Sequence, residues 1–69
     1  MNEHTSKIDL AGASLRVVST MRDGRELWVV VKSGPSAGGL EILAIRDTWQ
    51  EATNALLSCA AGERVEVLP

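Results

Sequence analysis

The feature that most constrains the fold is the run Leu27-Trp28-Val29-Val30-Val31, which places five apolar residues in succession. The run is rich in β-branched and aromatic residues, which is typical of a strand. Because neighbouring side chains of a strand point to opposite faces, both faces of this strand are apolar. We therefore predict a strand that is buried on both sides.

An Asp-Gly pair just before this run predicts a tight turn. Asp23-Gly24 lies between Arg22 and Arg25, with strand-like patterns on either side. A type I′ turn needs positive φ at both central positions, and Asp-Gly is among the pairs that adopt it most readily. We expect a hairpin that joins a first main strand, residues 15–22, to a second strand, residues 26–33.

Weaker patterns surround this hairpin. The polar residues 1–7 are interpreted as a flexible tail, and residues 8–13 as either a short edge strand or a loop. The glycine-rich residues 34–39 predict a flexible connection to a third strand, residues 40–46. A single domain is expected over residues 8–69.

A capping box marks the start of a helix after the third strand. Thr48 and Glu51 have the spacing at which a threonine hydroxyl and a glutamate side chain satisfy free backbone N–H groups. An apolar stripe at spacings of three and four predicts a helix to about Ala61, with Gly62 as its C-terminal stop. The stripe consists of Trp49, Ala52, Leu56, Cys59 and Ala60.

The alternation over residues 64–68 predicts a final strand, with Val65 and Val67 on one side. The expected fold class is α+β. It consists of an antiparallel sheet of three to four strands with one helix packed on one face, in the element order β-β-β-α-β.

One helix can cover only one face of a sheet, yet the alternation places apolar residues on both faces. We assign to the helix side Leu15, Val17, Leu27, Val29, Val31, Leu40 and Ile42. The opposite face, the predicted interaction surface, then carries Val18, Trp28, Val30, Leu43 and Ile45. Burying these five would stabilise the protein by on the order of 10 kcal/mol as an upper bound.

A second copy of the same face is the simplest cover for this surface, and we predict a homodimer. Two alternatives stay open. Residues 8–13 or the glycine-rich connection could fold over the face, or a register shifted by one residue could exchange the two faces.

The inventory of reactive side chains limits the chemistry of this 69-residue chain. Cys59 is the only cysteine and His4 the only histidine, so one chain forms neither a disulfide nor the usual four-ligand Cys/His zinc site. His4 lies in the polar tail, and Cys59 lies on the buried stripe, where a cysteine behaves as a small apolar residue. A core this small favours oligomerisation.

Other polar candidates have structural interpretations. Asp47 and Glu51 lie at the helix start, where carboxylates serve as caps and complement the helix dipole. The glycine-rich connection lacks the Gly-Lys-Ser/Thr ending of a phosphate-binding loop. We therefore predict no catalytic, metal-binding or cofactor-binding residue, no small-molecule ligand and no enzyme activity.

Arg16, Arg22 and Arg25 are predicted polar contacts and support an alternative function, in which the sheet binds nucleic acid. The net charge of −2 gives no long-range attraction to phosphate backbones or anionic membranes. Trp28 is the one sheet aromatic available for stacking on bases. Nucleic acid is therefore the less favoured partner.

The polar N-terminus lacks the apolar stretch of a secretory signal, and no apolar run reaches the length of a membrane span. A cytoplasmic location without membrane contact is expected. The strand motif Leu27–Val31, the segment Thr48-Trp49-Gln50-Glu51-Ala52 and the ending Val65-Glu66-Val67 resemble those of small uncharacterised bacterial domains.

In size and acidic charge the chain is also similar to inhibitors encoded by phages and other mobile elements, including anti-CRISPR proteins. These likenesses imply a small regulatory or inhibitory protein. The sequence as a whole predicts a non-catalytic protein-binding module that acts as a homodimer and binds another protein.

Overall fold

A computed structural model of the chain describes residues 7–10, 12–35 and 39–67. These residues form one antiparallel sheet, in the strand order β1-β2-β3-β4, and one helix. The elements are β1 (Lys7–Leu10), β2 (Ala13–Arg22), β3 (Arg25–Gly34), β4 (Gly39–Arg46) and α1 (Trp49–Ala60). The predicted α+β class is confirmed. The element order is β-β-β-β-α, so the predicted order β-β-β-α-β is wrong.

The additional strand, β1, lies at the N-terminal side of the sheet. Three of its residues belong to the segment 8–13, for which a short edge strand and a loop were the two alternatives. Ile8 lies opposite Leu15 of β2. Lys7 was assigned to the tail but begins this strand, because it continues the same pairing with β2. Residues 1–6 of the predicted tail lie outside the described residues.

The final strand predicted over residues 64–68 is not formed within the part of it that the structure describes. One backbone hydrogen bond is seen between residues 63–67 and the sheet, from the Ile45 N–H to the Val67 carbonyl at 2.6 Å. A ladder requires a series of such bonds. The alternation of valines is therefore present without the pairing that defines a strand.

The predicted turn at the hairpin tip is confirmed. Asp23 and Gly24 have positive φ values of 53° and 79°, and Arg22 lies opposite Arg25. A two-residue turn of this kind fixes the register of the whole hairpin.

This register reverses the predicted faces of β3. Val17 lies opposite Val30, and Ser19 lies opposite Trp28. Directly opposed residues share a face, and Val17, Trp28 and Val30 all belong to the core on the helix side. The prediction that Trp28 and Val30 point away from the helix is therefore wrong. Their places on the opposite face are taken by Leu27, Val29 and Val31.

The faces of β4 change at a bulge. Val30 lies opposite Ala44 but Val31 lies opposite Ile42, which leaves Leu43 as the extra residue. Leu43 packs against the core, so its predicted outward position is wrong. Ile42, predicted on the helix side, lies on the opposite face beside Val31.

The core lies between the sheet and α1. Its buried cluster consists of Leu15, Val30, Ala44, Ala52, Ala55 and Leu56. The predicted helix ends are confirmed. The Thr48 hydroxyl accepts a hydrogen bond from the Glu51 N–H at 3.1 Å, and Gly62, with φ of 85°, follows the C-cap residue Ala61.

Candidate interaction face

The sheet face that points away from α1 carries apolar side chains on β2, β3 and β4, and we call it the helix-free face. It consists of Val18, Leu27, Val29, Val31, Leu40, Ile42 and Ile45. Val18, Val29 and Ile45 form one cross-strand row, because each is paired directly with its neighbour. The described helix packs on the other side, and so does Val65 of the C-terminal segment. Residues 36–38 of the glycine-rich connection lie outside the described residues.

Exposure is distributed unevenly over this face. In the central strand, Leu27, Val29 and Val31 keep only 9%, 8% and 5% of their surface exposed. On the edge strand β4, Leu40 and Ile42 keep 67% and 50%. The accessible apolar surface therefore lies at the edge of the sheet, and we call Leu40 and Ile42 the β4 strip.

The five residues predicted as an interaction surface do not share one face. Val18 and Ile45 lie on the helix-free face and are half-buried, whereas Trp28, Val30 and Leu43 pack on the helix side. Both residues of the β4 strip lie on the face opposite to the helix side predicted for them. For β3, the missed signal is the Asp-Gly turn, since its register already sets which residues share a face with Val17.

The predicted basic contacts are spread along the sheet. Arg16 is exposed and lies opposite Val31, while Arg22 and Arg25 flank the turn. Arg16 and Arg22 are six positions apart on one strand, a separation of about 20 Å. Arg25 donates to the Asp47 carboxylate at 2.6 Å. The three guanidinium groups therefore do not converge on one site.

A polar cleft of about 510 Å³ lies between α1 and residues 65–66, and two of the charged side chains that line it, Arg46 and Asp47, are bonded within the chain. Arg46 donates to backbone carbonyls of the chain, and Asp47 accepts from Arg25. The Glu51 N–H is bonded to the helix cap. Within the described ranges, no group of three or more His, Cys, Asp or Glu residues could hold a metal ion. His4 lies outside those ranges.

Cys59 lines a second cleft, of about 440 Å³, together with Leu15 and Leu43. Burial raises the pKa of the Cys59 thiol, and the nearby charge of Arg46 offsets part of that rise. The raised pKa disfavours the thiolate, which is the nucleophilic form of cysteine. This environment is that of a structural cysteine.

Comparisons of the chain with protein-family models, with curated proteins and with solved structures found no match. Across the described part of the chain, no helix is long and apolar enough to cross a membrane. Any function proposed for the chain must therefore be argued from the geometry of the helix-free face.

Proposed function

We propose that the chain is a non-catalytic protein-binding module that forms a homodimer through the β4 strip. The observation that carries this proposal is the exposure of Leu40 and Ile42, 67% and 50%, on the side of the sheet away from α1. Apolar side chains on an exposed edge strand favour association, because contact removes their surface from water. A second copy supplies the same strip, so the interface is symmetric.

The expected dimer is weak. Burying the exposed part of each strip residue contributes about 1 to 2 kcal/mol, and a symmetric pair buries four such side chains, roughly 4 to 8 kcal/mol in all. Loss of translational and rotational freedom on association costs about 4 to 15 kcal/mol. The strip alone therefore supports only weak self-association, and additional contacts must set the affinity.

Replacing the strip by Leu40→Thr with Ile42→Thr is expected to abolish self-association. Threonine keeps a good strand propensity while it removes most of the apolar surface. In sedimentation velocity, the mass of the wild type should rise with concentration from about 100 μM upward, as expected of a weak dimer. The double variant should sediment as a monomer throughout, with an unchanged far-UV circular dichroism spectrum.

The matched control is Met21→Thr with Leu57→Gln. These two side chains are similarly exposed, 66% and 56%, but Met21 lies near the hairpin tip and Leu57 on the helix exterior. The control should associate like the wild type. A wild type that stays monomeric at its highest soluble concentration would refute the proposal, and so would an equal loss of association in both variants.

A regulatory or inhibitory role, in which the dimer binds another protein, completes this proposal. We place that role in the cytoplasm, where a single free thiol such as that of Cys59 stays reduced. Affinity isolation from the native host with the wild type and the strip variant would test the role. A partner retained equally by both would show that binding does not require the dimer.

A further inference from the structure

Residues 63–67, which we call the strap, run beside the edge of β4. Glu63 lines the same cleft as Glu41 and Leu43, and the Val67 carbonyl accepts from the Ile45 N–H. The strap therefore runs in the same direction as β4, at the position of a neighbouring strand. Because this is the one backbone bond seen between the strap and β4, the strap is joined to the edge at Ile45 and forms no ladder along it.

Arg46 holds the strap in this position. Its guanidinium donates to the Glu66 carbonyl at 2.8 Å and the Val67 carbonyl at 3.3 Å. The same group donates to the Ile45 carbonyl on β4 at 2.7 Å. One charged side chain thus bridges the sheet edge and the strap, and charged hydrogen bonds are among the stronger ones.

Beside residues 41–43, on the N-terminal side of this bridge, the strap is separated from β4. A cleft of about 440 Å³ separates residues 41–43 from residues 62–67. The edge of β4 is therefore shielded at Ile45. Along residues 39–43, no described backbone hydrogen bond joins β4 to a residue outside the sheet. Such an edge is a template for another strand.

We propose that the edge of β4 over residues 39–43 is a strand-addition site for the β4 strand of a second copy, and that the Arg46-bridged strap, which lies beside this edge, restricts access to it. This inference rests on the proposed homodimer and identifies the additional contacts that its affinity requires. Antiparallel pairing centred on Glu41 places Leu40 of one copy opposite Ile42 of the other, twice, on one face. The facing flanks of the strip side chains are thereby covered, and the free backbone groups of residues 39–43 are bonded. A foreign strand would match this only with apolar residues at the same alternate positions.

Releasing the strap should free the Ile45 backbone, widen access to the edge and thereby tighten the dimer. Arg46→Gln is expected to speed hydrogen exchange of the Ile45 amide about tenfold, as loss of hydrogen bonds to a charged group implies. The measurement is made by NMR at a concentration where the chain is monomeric. Arg25→Gln, which removes an exposed bond to Asp47, is the control and should leave this rate unchanged. An unchanged exchange rate of the Ile45 amide in Arg46→Gln would show that Arg46 does not hold the strap against β4.

At higher concentration, Arg46→Gln should associate more tightly than the wild type by a similar factor, with slower exchange of the amides of residues 39–43. Arg46→Lys keeps the charge without the planar fork and should give the same changes if Arg46→Gln fails to fold. Faster exchange of the Ile45 amide without tighter association would show that the strap does not restrict access to the edge of β4. The proposed homodimer would be unaffected by that result. Absence of association in the wild type and in both Arg46 variants would instead reject the homodimer itself.

The proposed register makes a separate prediction for Glu41. Pairing about this residue brings the two Glu41 side chains together, each beside its own Lys32 on β3. Like charges directly opposite weaken strand pairing, so Glu41→Gln should tighten self-association by up to about fivefold. Glu26→Gln, near the hairpin tip, is the control and should not change it. Unchanged or weaker association of Glu41→Gln would overturn the edge pairing.

Discussion

Replacement of Gly34 by alanine is expected to lower the free energy of unfolding by about 3 kcal/mol or more, from backbone strain together with overpacking. A Cβ at Gly34 would lie 2.8 Å from the Gly12 carbonyl oxygen and 2.9 Å from the Ala13 Cα, both backbone atoms that cannot move aside alone. Gly34 also has a φ of 130°, which side-chain-bearing residues rarely adopt. Urea unfolding followed by circular dichroism measures the change.

Gly39→Ala is the matched control for this substitution. Gly39 lies opposite Gly34 and has a similar φ of 123°, but a Cβ there would meet no atom within 4 Å. It should therefore lose only the strain contribution, about 1 to 2 kcal/mol. Equal destabilisation of the two variants would show that the approach of Gly34 to the turn before β2 is not as close as described.

Replacement of Trp28 by alanine is expected to destabilise the fold by about 3 kcal/mol, near the lower limit for removal of a large core aromatic because Trp28 is only half-buried. Trp28 packs against the cluster beneath α1. The loss should appear in urea unfolding at concentrations where the chain is monomeric. Trp28→Phe keeps most of the packing and should cost about 1 kcal/mol.

This substitution also separates the two descriptions of β3. If Trp28 pointed outward, as the sequence alone suggested, Trp28→Ala would weaken self-association and leave the monomer stable. The structure predicts instead that the larger effect of Trp28→Ala is a loss of monomer stability. A variant that keeps full monomer stability while it loses association would contradict the position of Trp28 in the core.

The parts of the fold that could be predicted from the sequence are those governed by neighbouring residues. The Asp23-Gly24 turn and the Thr48 cap depend on local backbone conformation and one side-chain bond, so short motifs are enough to predict them. The helix stripe was predicted for a similar reason, although it omitted Ala55, which is buried.

The faces of β3 needed more than alternation. A strand that is apolar at every position, as over Leu27–Val31, gives no preference for either face. Only the register set by the turn decides between them, and applying it would have placed Val30 with Val17. On β4 the bulge at Leu43 shifts the alternation by one residue, and no local motif in the sequence marks that position.

The edge of the sheet was the least predictable part. Alternating Val65 and Val67 suit a strand, but strand formation depends on a series of bonds to β4, and one such bond is described. The exposure of Leu40 and Ile42 likewise depends on which strand lies at the edge. The sequence indicated that apolar surface would remain uncovered, and the structure locates it at β4 instead of around Trp28.

The central claim is that two copies meet through the β4 strip. It is tested most directly by isotope-filtered NMR on an equal mixture of labelled and unlabelled chains at a concentration where sedimentation shows dimer. We predict intermolecular contacts between the methyl groups of Leu40 in one copy and Ile42 in the other. Dimer without these contacts, or with contacts at Met21 or Leu57 instead, would contradict the claim.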